Sequence, residues 1–292
     1  MSELQNLVET AVAVAVEKFA PIHLRAADLA VSLVVPTVDT KSQFQIGEYR
    51  GDEPCYPASI IKLFYLAAAH RWLEDQRMSD TPELRRALRD MIVDSSNEAT
   101  GLVVDMLTDT TSGPELPPGE LAVWHEKRNV VNRYFQLLGY RDLNANRKTW
   151  NDGPYGRDKQ AVDQFTPARN SLTANATSRL LTEIATGRCV SPARCQQMLD
   201  LLKRDFKNPA SRDYQAREFS GPGLPPTAKL WSKAGDMSAA RHDAALVELA
   251  DGTQFVLVVF TTRPDSKAII PEIVRQIVRG LCRSIIAPPV RQ

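Results

Sequence analysis

The pattern of apolar and polar residues predicts helices at both ends of the chain, strands next to them and a helical block between. Apolar residues spaced three to four apart favour a helix, and strict alternation favours a strand. The predicted helices are residues 4–19, 59–73, 82–94, 98–107, 121–138, 174–186, 191–204 and 268–285. The predicted strands are residues 28–35, 44–49, 228–234, 244–250 and 254–262.

These elements predict an α/β protein of the α+β kind. The strands near both ends are expected to form one antiparallel five-stranded sheet flanked by helices, because hairpin signals such as Asp251-Gly252 join neighbouring strands. The helical block is expected to be an inserted all-helical subdomain. The predicted division is residues 1–58 and 222–292 for the sheet subdomain and 59–221 for the helical subdomain, with an active site at their interface.

Composition narrows the classes of function. Among 292 residues, 43% are hydrophobic and the formal net charge is +1, so the chain lacks the basic surface that nucleic acid or an anionic membrane needs. No apolar run reaches transmembrane length. Glu3 and Glu9 stand where a signal peptide requires positive charge, so a cytoplasmic location is expected. The four cysteines and four histidines show no ligand spacing, so neither a metal nor a cofactor is expected.

The stretch with the clearest chemistry is Tyr56 to Tyr65, which contains Ser59-Ile60-Ile61-Lys62. Pro57 disfavours helix before it, and the apolar run after it predicts a helix that is buried on most sides. Residues three apart share a helix face, so the Lys62 ammonium is expected beside the Ser59 hydroxyl. An amine in apolar surroundings favours its neutral form and can accept a proton. A helix cap at Ser59 followed by a surface lysine is the structural alternative.

Two further short motifs lie later in the chain. Ser95 and Asn97 are placed together in a loop between two predicted helices, where they could simply cap the second helix. Lys233-Ala234-Gly235 ends a predicted strand, where a lysine often discourages sheet pairing. Neither motif is specific alone, but their order and structural context match a known set.

With these three motifs, the chain resembles the class A β-lactamases and the wider penicillin-interacting serine hydrolases. The resemblance implies that Ser59 is the acylated nucleophile, that Lys62 is its base, and that Ser95 relays a proton to the leaving group. It also implies an oxyanion hole made by the backbone N–H groups of Ser59 and Asp236.

The resemblance also implies how a substrate would bind. Asn97 would hold an amide of the substrate, and Lys233 would bind its carboxylate and lower the pKa of Ser95. Gly235 completes the strand-end motif. The implied substrate-binding residues are Asn97, Lys233, Gly235 and Asp236. The expected partner is a small amide or ester, and the sequence leaves the oligomeric state open.

Three departures from the family pattern bear on catalysis. The residue between Lys233 and Gly235 is usually Ser or Thr, and Ala234 has no hydroxyl to grip a carboxylate; Ser238 or Arg241 could substitute. No Glu occurs between Glu126 and Glu183, where class A enzymes carry the residue that activates the deacylating water. The interval from Ser59 to Ser95 is short, and residues 108–173 are longer than usual. The remaining carboxylates in the loop are Asp142, Asp152, Asp158 and Asp163.

The sequence therefore predicts a serine acyl hydrolase of β-lactamase type that forms a Ser59 acyl-enzyme with a β-lactam or a related amide or ester. One alternative is an esterase or peptidase in which Lys62 is the base in both half-reactions. Another is a sensor that binds a β-lactam or other ligand and releases it slowly, because the deacylating Glu is absent.

Overall fold

A six-stranded antiparallel sheet and a set of helices belong to two separate units of the chain. The computed structural model describes residues 2–36, 43–208, 210, 212–263 and 266–286. Met1–Glu53 and Lys203–Gln292 form the sheet unit, and Pro54–Leu202 form the helical unit. The chain passes from the sheet unit into the helical unit and back once.

The sheet has strand order β2-β1-β6-β5-β4-β3, and all neighbours are antiparallel. Its strands are β1 (Leu29–Pro36), β2 (Phe44–Tyr49), β3 (Lys203–Arg204), β4 (Lys229–Met237), β5 (Ala240–Glu248) and β6 (Gln254–Thr261). The prediction of five strands is wrong, because β3 pairs with β4 at the sheet edge. With two residues, β3 is too short to show an alternating pattern, and it follows a helix without a break.

Two long helices of the sheet unit pack against the strands in its apolar core. They are α1 (Glu3–Lys18) and α11 (Ile269–Ile286), close to the predicted bounds. Val8 and Ala11 of α1 and Ile273 and Ile277 of α11 are buried in one cluster with the inward-facing strand residues. Helix α1 lies so close to β2 that a Cβ on Gly47 would stand 2.5 Å from the carbonyl oxygen of Leu4. The glycine is required by this close approach.

The helical unit follows the predicted pattern with two differences. Its helices are α2 (Ile61–Glu74), α3 (Pro82–Ile92), α4 (Asn97–Thr108), α5 (Pro118–Arg128), α6 (Val130–Leu137), α7 (Gly156–Gln164), α8 (Ala174–Ala185) and α9 (Pro192–Leu202); a short α10 (Tyr214–Glu218) belongs to the sheet unit. The helix predicted over 121–138 is divided at Asn129. Helix α7 lies in a segment where the sequence predicted no helix, and it buries only Asp158 and Ala161, so it has almost no apolar periodicity.

Helix α2 is the central element of the helical unit. Every residue from Ile61 to His70 is buried, as the continuous apolar run predicts. A 3-10 turn, Ala58–Ile60, precedes it. Because residues 61–70 are all buried, the polar side chains among them, including Lys62 and His70, must be accommodated inside the unit.

Within the described residues, no helix is long and apolar enough to cross a membrane. In the same part of the chain, no group of three or more His, Cys, Asp or Glu side chains is arranged to hold a metal ion. All four cysteines are free thiols, and Cys195 is buried.

The buried His70 in helix α2 should make the stability of the fold sensitive to acid. Burial and the nearby Arg194 lower the pKa of His70 from 6.5 to about 4, although Asp80 and Glu74 oppose the shift. The neutral imidazole therefore stabilises the fold above pH 6.5, and this contribution is lost as the pH falls through 4, a total of about 3 kcal/mol. Urea unfolding at several pH values should show His70→Leu gaining stability relative to the natural protein below pH 5. Parallel stability curves for the two proteins would contradict this account of His70.

Candidate active site

Ser59 lies in the 3-10 turn that leads into α2. It is half-buried. The preceding residue, Ala58, has φ +46°, in the left-handed region that alanine seldom adopts. Such backbone conformations cost on the order of 1–3 kcal/mol and concentrate at functional sites.

The Lys62 side chain is fully buried and directed at the loop between α3 and α4. Its Nζ lies 2.5 Å from the carbonyl oxygen of Ser95, 3.2 Å from the Ser95 hydroxyl and 2.9 Å from Asn97 Oδ1. The sequence predicted an ammonium beside the Ser59 hydroxyl, but among the described contacts no hydrogen bond joins Lys62 to Ser59. The structure thus brings together Lys62, Ser95 and Asn97, with Ser59 two residues before the start of α2.

Burial brings the pKa of Lys62 close to neutral pH. Loss of hydration disfavours the ammonium and lowers its pKa from 10.5 to about 7, while the negative charge of Glu98 acts in the opposite direction. As an ammonium, Lys62 can donate to all three oxygens around it. As a neutral amine it keeps two N–H donors and gains a lone pair, which can accept a proton from a hydroxyl.

The loop that carries Ser95 and Asn97 is fixed by its own backbone. Ser95 has φ +56°, a second left-handed residue that is not glycine. The next residue, Ser96, caps α4 by accepting a hydrogen bond from the N–H of Ala99 at 3.0 Å. Asn97 therefore begins α4, and both polar atoms of Ser95 face Lys62. The capping role foreseen as an alternative belongs to Ser96.

Two residues of this cluster, Asn151 and Glu98, were not predicted from the sequence. Asn97 Nδ2 donates to Asn151 Oδ1 at 2.7 Å, and Asn151 Nδ2 donates to Glu98 Oε1 at 2.5 Å. Asn151 stands 54 residues after Asn97 in a turn-forming segment, so no local pattern joins them. Glu98 is the first residue of a predicted helix, and its charge acts on Lys62 only in the folded chain.

The strand-end motif lies on β4 of the sheet unit. Lys233 is fully buried, and its Nζ donates to Gln215 Oε1 at 2.8 Å and to the Ala234 carbonyl at 2.7 Å. The same Gln215 oxygen accepts the Ala234 N–H at 3.0 Å. Gln215 thus binds both the Lys233 side chain and the backbone of β4. It lies in α10, a helix that the sequence did not predict.

The remaining residues of the motif are Gly235, which is buried, and Asp236, which is exposed. Arg241 was one candidate to replace the hydroxyl that Ala234 lacks. Its side chain is 2% exposed, and it donates to Asp236 Oδ2 at 2.9 Å and to the Glu218 carbonyl at 2.9 Å. Because Asp236 neutralises it, Arg241 is not available as a free cation. Ser238, the other candidate, is exposed.

The loop carboxylates are engaged elsewhere or exposed. Asp158 is buried against Arg128 at 3.3 Å, and Asp163 pairs with Lys159 at 2.6 Å. Asp142 and Asp152 are exposed. Within the described part of the chain, none of the four makes a hydrogen bond to Lys62, Ser95 or Asn97. Among the described contacts, none of these aspartates is therefore linked to the cluster of Lys62, Ser95 and Asn97, where a water would have to be activated.

The Lys62 pKa can be measured directly. Titration of lysine labelled with ¹³C at Cε should show one resonance with a midpoint near pH 7, absent in Lys62→Met. In Glu98→Gln the midpoint should fall, because the carboxylate that stabilises the ammonium is gone. Glu115→Gln, at an exposed carboxylate of the same unit, should leave the midpoint unchanged. A Lys62 midpoint above pH 9 would contradict the account.

Comparison with solved structures shows which folds are similar. A β-lactamase from Sphaerobacter thermophilus shares 18% identity, with a TM-score of 0.66 over 97% of this chain and 98% of the other. PBP-A shares 18% identity, with a TM-score of 0.65 over 96% of this chain and 97% of the other. A β-lactamase from Chitinophaga pinensis shares 17% identity, with a TM-score of 0.63 over 97% of this chain and the whole of the other. At these identities the likeness shows the fold alone.

None of the curated proteins matches the sequence significantly. The model of the β-lactamase enzyme family matches residues 72–284, more than half of the chain, beginning after Ser59 and Lys62. This match confirms the resemblance inferred from the three motifs, and the matched region contains two of them, the one at Ser95 and the one at Lys233. The chain belongs to the β-lactamase enzyme family.

Proposed function

We propose that this protein is a serine acyl hydrolase that forms an acyl-enzyme on Ser59 with a β-lactam or a related amide or ester. One observation carries the proposal: a fully buried Lys62, with a pKa near 7, contacts both Ser95 and Asn97 at the start of α2. A structural lysine would seek water or a carboxylate, and this one is held instead by three neutral oxygens.

The proposed acylation uses these groups in sequence. Neutral Lys62 takes the proton of the Ser59 hydroxyl as the Ser59 oxygen attacks the substrate carbonyl. The N–H of Ser59, at the N-terminal end of the 3-10 turn and α2, favours negative charge on the carbonyl oxygen. The proton then passes from Lys62 to Ser95 Oγ, 3.2 Å away, while Ser95 gives its own proton to the departing nitrogen or oxygen.

Release of the acyl group requires a separate step. Hydrolysis needs a base to activate water, and the loop aspartates are exposed or, like Asp158 and Asp163, held in ion pairs. This observation favours a second candidate function, in which the protein holds an acyl group and releases it slowly. In the other alternative, Lys62 is the base in both half-reactions, and the same Ser59 acyl-enzyme is formed.

Acylation should depend on a single hydroxyl. After the protein is mixed with a penicillin or an activated ester, intact-protein mass spectrometry should detect an adduct that Ser59→Ala abolishes without loss of the circular dichroism of the fold. Ser171→Ala, a half-buried serine of the same unit, serves as the control and should still form the adduct. An adduct that survives in Ser59→Ala would show that a different nucleophile reacts.

The lifetime of that adduct separates the two candidate functions. If the missing Glu limits hydrolysis, the adduct should persist for longer than the acylation itself takes. Rapid disappearance of the adduct with steady product formation would favour efficient turnover. No adduct with either reagent would overturn the proposed chemistry.

Substrate charge provides a separate test of the proposed binding residues. Ala234 lacks the hydroxyl that would support a carboxylate, a contact worth roughly tenfold to a hundredfold in binding. We therefore expect neutral activated esters to acylate Ser59 at rates comparable to those of carboxylated esters of equal leaving-group reactivity. A strong preference for the carboxylated partner in each pair, lost in Lys233→Met, would show that Lys233 suffices without the hydroxyl.

A further inference from the structure

The Asn97 side chain is occupied at both ends. Its Oδ1 accepts from the Lys62 ammonium at 2.9 Å, and its Nδ2 donates to Asn151 Oδ1 at 2.7 Å. As an ammonium, Lys62 can only donate, so in that form the Asn97 amide cannot turn over without placing its NH₂ group against another donor. The Nδ2 group must therefore point away from Lys62, toward Asn151.

Glu98 fixes the orientation of Asn151 in turn. Asn151 Nδ2 donates to Glu98 Oε1 at 2.5 Å, and the second Glu98 oxygen accepts the Ser96 hydroxyl at 3.1 Å. A carboxylate can only accept, so Asn151 must keep its NH₂ group on Glu98 and its amide oxygen toward Asn97. The structure thus places the amide oxygen of Asn151 against Asn97 Nδ2, the group that points away from Lys62.

The segment that carries Asn151 is anchored on both sides. Lys148 Nζ donates to Asp105 Oδ2 at 2.5 Å and to Ser112 Oγ at 2.7 Å. After the turn, the Arg157 N–H donates to the Gly113 carbonyl at 3.1 Å. Between these anchors Asn151 is exposed, and among the described residues its side chain makes hydrogen bonds to Asn97 and Glu98 alone. It can leave by side-chain rotation while the loop stays in place.

We propose that Asn151 is a resident competitor for the substrate, whose amide oxygen occupies the Asn97 donor that an amide carbonyl of the substrate would otherwise use. The inference rests on the proposed function, in which Asn97 holds that amide. A substrate with such a carbonyl must exchange it for the Asn151 oxygen, whereas a substrate without one leaves the pair intact. Asn151 is then a specificity-determining residue that disfavours substrates bearing an acyl-amide group.

The test compares two β-lactams that differ in that group. Benzylpenicillin carries a side-chain amide, and 6-aminopenicillanic acid has the same ring system without it. Removing one neutral hydrogen-bonded competitor should raise the rate of acylation of Asn151→Ala by benzylpenicillin about three- to tenfold. The rate with 6-aminopenicillanic acid should change by less than about twofold, since less than about 0.4 kcal/mol is then involved. Asp152→Ala, at the exposed neighbouring residue, is the matched control and should change neither rate.

The outcomes separate this inference from the proposed function. Equal changes for the two β-lactams, or slower acylation of Asn151→Ala by benzylpenicillin, would overturn the inference alone, since Asn151 would then merely support Asn97. The same holds if the substrate uses the second N–H of Asn97 Nδ2, because the variant would then behave like the natural protein. Absence of an adduct in every protein with both β-lactams would overturn the proposed function and the inference together.

Discussion

The burial of one amine governs the chemistry of the helical unit. Taking an ammonium out of water costs several kcal/mol unless it is paired, and Lys62 is offered three neutral oxygens in place of a carboxylate. The charged and neutral forms are therefore close in free energy at neutral pH, as a pKa near 7 expresses. Such a group can both take and return a proton, which a solvated lysine at its ordinary pKa cannot do efficiently.

The surroundings of Lys62 depend on two backbone residues in the left-handed region. Ala58 precedes Ser59, and Ser95 supplies its carbonyl and hydroxyl to the amine. Neither residue is a glycine, so each conformation must be stabilised by the packing around it. Full burial of α2 provides that packing, and the cap at Ser96 fixes the start of α4. Strain, burial and a shifted pKa thus occur at one place in the fold.

The sequence predicted those features that have a local cause. The unbroken apolar run predicted a buried α2, Thr81-Pro82 predicted the start of α3, and alternation predicted five of the six strands. It failed where the cause is tertiary. Strand β3 exists through pairing with β4, and α7 lacks an apolar stripe. The contacts among Asn97, Asn151 and Glu98 and the clamp of Gln215 on Lys233 join residues distant in sequence or placed on an unpredicted helix.

The proposed acylation depends on neutral Lys62 acting as the base for Ser59, whereas the loop aspartates are exposed or held in ion pairs. The most direct measurement is the rate of Ser59 acylation by an uncharged activated ester between pH 5 and pH 9. Because the ammonium has no lone pair, the account predicts a rate that increases with pH and reaches half its maximum near pH 7. A rate that is independent of pH across this range, or that decreases as the pH rises, would contradict it.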